Sequence, residues 1–133
     1  MPSAATHGPY AGCLGVVAKV GDLGIACIVP PGRDGVDCSA AGAMHGTVTH
    51  MPPEALSRSH TVSTCTDIWS FGMLLWELWT LQPPFDQLPP QAVVGKVLVM
   101  ELPPWPQDAP PVLVQVAKRC WSQVRPPRAL PGM

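Results

Sequence analysis

The chain has 133 residues and a formal net charge of −1, and this length suits a single domain. Charged residues make up 13% of the sequence, about half the usual share of roughly 25%, and Lys and Arg form no run. A strongly basic surface for a nucleic acid or an anionic membrane is therefore not expected.

The cysteines and histidines show no metal-binding pattern. Five cysteines occur without C-x-x-C spacing, and the four histidines form no H-x-x-x-H pair, so a zinc site is not expected. The odd number of cysteines and the lack of a secretory signal pattern favour reduced thiols. The sequence therefore predicts a cytoplasmic or nuclear location.

The N-terminal part of the chain predicts little regular structure. Residues 1–13 are mostly small, include Gly and Pro, and show no helix or strand periodicity. They are predicted to form a flexible lead-in. Over residues 14–20, apolar residues alternate as on one face of a β-strand, which ends at a Gly-Asp turn signal. Residues 27–44 are rich in Gly, Pro and Ala and are expected to form a loop, and a short helix is expected at residues 53–56.

The densest apolar run predicts a helix over about residues 66–81. Its polar residues Ser70, Glu77 and Thr80 fall on one narrow stripe at helical spacing, so the helix is expected to be buried on nearly all sides. Gly72 opposes this stripe and would allow another backbone to approach closely. The run is shorter than the about 20 apolar residues of a membrane span and contains Glu77, so a transmembrane helix is not favoured.

Three segments complete the chain before a tail at residues 131–133. Residues 91–100 are Val-rich, and propensity alone would allow a strand there. The proline-dense sequence LPPWPQDAPP follows as a connector or, alternatively, as a polyproline-like ligand for another domain. A helix is predicted over about residues 111–122, because apolar residues recur there at i, i+3, i+4, i+7 and i+8.

The segment DIWSFGMLLWELWT resembles the central helix in the large lobe of protein kinases, especially the tyrosine-kinase-like serine/threonine group. Three further segments follow the family's order: KVGDLGIA at residues 19–26, GTVTHMPPE at 46–54 and CWSQVRPPR at 120–128. The resemblance implies a partial protein kinase domain over residues 14–130. The expected fold is mainly α, a partial C-terminal lobe with a short strand before the Asp-Leu-Gly motif and a helix at residues 91–100.

The resemblance also implies an activation segment over residues 22–54. Asp22 matches the Asp of the kinase D-F-G motif, which holds the magnesium ions on the phosphates of ATP, so it is the expected cofactor and metal residue. Gly46 and Thr47 match the loop that faces the protein substrate. Leu23 replaces the usual Phe, and His50 stands where Tyr is usual; without the family context, His50 would be an exposed loop residue.

Three residues match structural positions of the family. Glu54 and Arg128 are expected to form a buried ion pair between the substrate loop and the C-terminal end, although the surroundings of Arg128 depart from the family pattern. Without Glu54, Arg128 would be interpreted as a charge in the tail. Asp67 corresponds to the residue that braces the catalytic loop.

The sequence lacks the residues that would complete a kinase active site. It has no G-x-G-x-x-G loop and no H-R-D catalytic loop, and Lys19 is the only lysine before Asp22. No catalytic residue is therefore assigned. The chain is expected to be a fragment of a serine/threonine kinase that is inactive alone and binds neither ATP nor Mg²⁺ tightly. The alternative is a pseudokinase-like module that binds a partner protein through Trp79, Trp105 and residues 91–100.

Overall fold

The computed structural model describes residues 17–37, 47–57 and 60–122. Within them lie four helices and two short strands. The helices are α1 (Pro53–Leu56), α2 (Thr64–Thr80), α3 (Pro90–Leu98) and α4 (Pro111–Ser122), and the strands are β1 (Val36–Asp37) and β2 (Thr61–Val62). Two 3-10 turns lie at Leu23–Ile25 and Val48–His50. The mainly α fold is confirmed, and the lead-in at 1–13 and the tail at 131–133 lie outside the described residues.

The strand expected at residues 14–20 is not formed over residues 17–20, and residues 14–16 lie outside the described part. A strand requires a hydrogen-bonded neighbour. In the described residues the two-stranded sheet is antiparallel and pairs Val36 with Val62 and Asp37 with Thr61. The alternating apolar pattern before Asp22 therefore leads to exposed, irregular backbone here.

Helix α2 begins and ends with clear local signals. Ser63 and Thr66 form a capping box, in which the Ser63 backbone N–H donates to Thr66 Oγ1 at 3.0 Å. The Ser63 hydroxyl accepts from the Cys65 backbone N–H at 3.1 Å. At the other end Leu81 adopts the left-handed conformation, with φ 56°, and its N–H donates to the Glu77 carbonyl at 2.8 Å. These contacts satisfy backbone groups that a helix end otherwise leaves unpaired.

The hydrophobic core forms where one face of α2 meets the other helices. Its fully buried members on α2 are Trp69 and Met73, and Trp76 continues the same face. The rest of the core comes from α1, α3 and α4, namely Leu56, Val93, Val97, Ala117 and Trp121. Val93 and Val97 lie one helical turn apart, so residues 90–98 bury one stripe as a helix although their propensity also allows a strand.

The expectation that α2 is buried on nearly all sides is wrong for the face opposite this core. Four large side chains, Ile68, Phe71, Leu74 and Leu78, are 41%, 50%, 42% and 62% exposed and form what we call the apolar stripe. The core partners of α2 lie along Trp69, Met73 and Trp76, so the described residues cover the helix on one side only. The sequence pattern alone shows that the stripe is apolar but not that it lies open.

No helix of the described residues is long and apolar enough to cross a membrane.

Gly72 is the point of closest approach between α2 and α4. A Cβ built on Gly72 would lie 2.8 Å from Trp121 Nε1 and 2.9 Å from Cys120 Cβ. The two helices can therefore pack at this distance only while position 72 lacks a side chain.

We predict that Gly72→Ala lowers the free energy of unfolding by about 1–3 kcal/mol, because the added methyl group forces Trp121 away from its packed position. The matched control is Gly95→Ala in α3, where nothing lies within 4 Å of the added Cβ. This control should raise stability by about 0.5–1 kcal/mol through helix propensity. Urea unfolding followed by circular dichroism measures both, and equal effects of the two substitutions would contradict the proposed close approach.

Candidate functional site

The loop at residues 47–54, here called the substrate loop, is held on the polar stripe of α2. Ser70 Oγ lies 2.9 Å from the His50 carbonyl oxygen and 3.0 Å from the Thr66 carbonyl oxygen. The His50 side chain reaches Glu77, with 2.9 Å between Nε2 and Oε2. Two residues seven positions apart on α2 therefore hold the same loop residue, one through its backbone and one through its imidazole.

His50 is a half-buried, partnered residue rather than an exposed loop histidine. Its Nδ1 lies 3.0 Å from Thr49 Oγ1, and the His50–Glu77 contact is an ion pair whenever the imidazole is protonated. The sequence shows the polar stripe with Ser70 and Glu77 but indicates no role in the site for either residue. The signal available was the interruption of a strongly apolar helix by polar residues at helical spacing.

Thr47 and Glu54 lie at the two ends of the described substrate loop. The Thr47 carbonyl accepts the His50 backbone N–H at 2.9 Å and starts the 3-10 turn Val48–His50. Glu54 lies in the first turn of α1, where a carboxylate suits the helix dipole. Gly46, the other predicted loop residue, lies outside the described residues.

The Glu54 carboxyl is partly buried. Its Oε2 atom is shielded from solvent. Burial raises the pKa of the Glu54 carboxyl above its ordinary value, and a backbone hydrogen bond opposes this effect. The ionised form is thus the costlier one in the folded chain, and a nearby cation would offset that cost. Arg128, the predicted partner, lies outside the described residues, so the ion pair stays a prediction.

Asp22 and Asp67 are both exposed to solvent. Asp22 has φ 56° and ψ 62° and precedes the 3-10 turn Leu23–Ile25 without capping it through its side chain. Among the described residues, no group of three or more acidic, His or Cys side chains could hold a metal ion. Asp22 alone does not fit a magnesium site, which requires several oxygen ligands. Asp67 lies in the first turn of α2, away from the core.

Comparison with known proteins identifies the family. A family model described as protein tyrosine and serine/threonine kinase matches residues 14–129. The chain belongs to the protein kinase family. Its resemblance to the tyrosine-kinase-like group is confirmed by the relatives that it matches.

Three protein kinases illustrate this similarity. The chain is 35% identical over 106 residues to serine/threonine/tyrosine-protein kinase HT1 of Arabidopsis thaliana, covering 79% of this chain and 25% of that kinase. It is 34% identical over 117 residues to mitogen-activated protein kinase kinase kinase 12 of Rattus norvegicus, and the match covers 87% of this chain and 12% of that kinase. A Drosophila melanogaster mitogen-activated protein kinase kinase kinase is 41% identical over 78 residues, and the match covers 58% of this chain and 7% of that kinase. The chain thus spans a quarter or less of the length of these relatives.

The family has a known general chemistry. Protein kinases use ATP with Mg²⁺ and act on protein substrates. In this chain, His50 is held on α2 through Ser70 and Glu77, Thr47 starts the 3-10 turn that contains His50, and Glu54 lies in the adjoining helix α1. Asp22 lies in a separate exposed segment, and among the described residues it belongs to no group of three or more acidic, His or Cys side chains that could hold a metal ion.

The contact between His50 and Glu77 should be measurable as a coupling energy. We predict that a double-mutant cycle with His50→Gln and Glu77→Gln gives a coupling of about 0.5–1 kcal/mol, the range of a partly exposed ion pair. A control cycle of His50→Gln with Asp67→Asn, which removes another carboxylate from α2, should be additive. A coupling indistinguishable from zero would show that the His50 and Glu77 side chains do not interact in solution.

Proposed function

We propose that this chain is part of the catalytic domain of a serine/threonine protein kinase and supplies the loop that faces the protein substrate. The observation that carries this proposal is the attachment of the substrate loop to α2 through the Ser70 and Glu77 contacts with His50. A loop anchored at both backbone and side chain is pre-organised to present a surface to another protein. The parent reaction would transfer the γ-phosphoryl group of ATP to a serine or threonine hydroxyl.

In this proposal, the residues around the loop have separate roles. Gly46 and Thr47 contact the substrate segment, and Thr47 is the residue typical of the serine/threonine class at this position. Glu54 forms an ion pair with Arg128, which offsets the burial of the Glu54 carboxyl. Asp67 braces the catalytic loop of the complete domain. Asp22 supplies one ligand to Mg²⁺ when the rest of the nucleotide site is present.

The isolated chain is proposed to be inactive as a kinase. Phosphoryl transfer depends on positioning and charge neutralisation, which in kinases come from a Gly-rich loop, a strand lysine and a catalytic loop with Asp and Asn. The 133 residues contain none of these motifs. The single exposed carboxylate of Asp22 cannot replace a phosphate cradle, a base and a second metal ligand.

The apolar stripe of α2 supports placement in a longer protein. Four large apolar side chains in one row are more than scattered surface residues, and contiguous apolar patches mark surfaces that another element covers. We propose that the remainder of the kinase domain packs on this stripe in a cytoplasmic parent protein. The Asp67 carboxylate, beside the N-terminal end of the stripe, would then meet the catalytic loop.

A second candidate is a pseudokinase-like module that binds a partner protein without catalysis. The observation that favours it is the open surface around Trp79, which is 39% exposed, together with the partly buried Trp105. In this alternative, the chain acts alone, and Trp79, Trp105 and α3 contribute the contacts.

The proposal predicts weak nucleotide binding by the 133-residue chain. Isothermal titration calorimetry with Mg-ATP should give a dissociation constant above roughly 100 μM, or less than about 5.5 kcal/mol of binding free energy. Asp22→Asn should leave the titration unchanged, because one carboxylate adds little to such a site. Tighter binding that Asp22→Asn weakens would show that this chain assembles a nucleotide site by itself.

The apolar stripe should make the isolated chain bind a hydrophobic dye and self-associate. The double variant Phe71→Lys/Leu78→Lys should reduce dye fluorescence at least about threefold and shift light scattering toward the monomer, because it places charges on the exposed patch. Val112→Lys is the matched control, since Val112 is 72% exposed but lies outside the stripe on α4. A dye-negative, monodisperse native chain would favour the independent binding module.

A further inference from the structure

A cleft lined by tryptophans lies beside the C-terminal end of α2. It has a volume of about 450 Å³, and we call it the tryptophan groove. Trp76 and Trp79 of α2 line one side, and the connector before α4 lines the other with Pro104, Trp105, Pro106 and Asp108. The proline-dense connector, interpreted from the sequence as a possible ligand for another domain, therefore forms a wall of this groove.

Internal contacts hold the aromatic walls in place. Trp76 Nε1 donates a hydrogen bond to the Pro104 carbonyl at 3.0 Å, which joins the helix to the connector. Trp105 packs against Trp121 with 6.2 Å between ring centroids and 38° between ring planes. Trp79 is the open member, with 39% of its surface exposed. The groove is thus largely pre-formed, which lowers the entropic cost of binding a ligand.

The charge of the groove indicates the ligand. Asp108 is exposed and is the only charged side chain that lines it among the described residues. A carboxylate in the same groove as indole rings favours a cation, because the ring faces attract positive charge and the carboxylate can pair with it. Arginine suits such a site best, since its planar guanidinium stacks on aromatic rings while it donates hydrogen bonds.

We propose that the tryptophan groove binds an extended, proline-containing segment of a partner protein, with an arginine of that segment between Trp79 and Asp108. Extended proline-rich segments dock in aromatic-lined grooves at low entropic cost, because their backbone is already ordered. The groove uses the exposed tryptophan and the connector that kinase chemistry leaves without a role. This binding requires neither ATP nor the substrate loop, so its test is independent of the proposed kinase function. It deepens the second candidate, the partner-binding module, by naming the class of partner segment that the surface around Trp79 and Trp105 would take.

The test uses the full 133-residue chain and a fluorescently labelled peptide of proline pairs separated by arginines, followed by fluorescence anisotropy. A peptide with citrulline in place of arginine has nearly the same shape without the charge. We expect saturable binding of the arginine peptide with a dissociation constant below about 1 mM, and at least tenfold weaker binding of the citrulline peptide. Trp79→Ala should weaken binding at least tenfold, and Asp108→Asn about fivefold.

Two further variants keep the test specific. Asp86→Asn removes a carboxylate from the neighbouring cleft and should change the affinity less than twofold. Trp79→Phe keeps an aromatic ring on an exposed position and should retain part of the affinity, which separates lost contact from lost folding. The proposal is overturned if the citrulline peptide binds equally well, if Asp86→Asn weakens binding as much as Asp108→Asn, or if binding does not saturate.

Discussion

The contact between Gly72 of α2 and Trp121 of α4 is the constraint on which the rest of the described structure depends. Because position 72 has no side chain, the indole of Trp121 lies directly on the α2 backbone and closes one side of the core. The same indole supports Trp105, so this packing also positions the connector that forms the tryptophan groove. A single glycine thereby links the core to a surface site.

Helix α2 organises three surfaces with different chemistry. Its buried face carries Trp69 and Met73 into the core, its polar stripe holds the substrate loop, and its apolar stripe faces solvent. One helix can carry all three faces because its 17 residues make several turns, and side chains three or four positions apart lie on the same face. The described residues leave the apolar stripe of α2 uncovered. The polar stripe anchors the loop on which the proposed function depends.

The substrate loop shows how a departure from a family pattern can be accommodated. His50 occupies a position where the resemblance implies Tyr, and it finds Glu77 on α2 and Thr49 in its own loop. A short polar side chain thus keeps the loop tied to the helix. Glu54 shows a different balance, since burial raises the pKa of its carboxyl while a backbone hydrogen bond opposes this effect.

The sequence by itself determined the helices α2 and α4, because the dense apolar run of the first and the apolar periodicity of the second are local signals. It also identified the kinase family, because the motif residues are contiguous. The family resemblance implied a helix at residues 91–100, where propensity alone left a strand open, and the structure has α3 at Pro90–Leu98. Only the tertiary structure decided that His50 meets Glu77 and which side chains of α2 lie open. These features depend on which elements lie against each other. Periodicity shows whether a face of a helix is apolar or polar. Burial of that face also requires another element packed against it, and an element that is distant in sequence leaves no local signal of that contact.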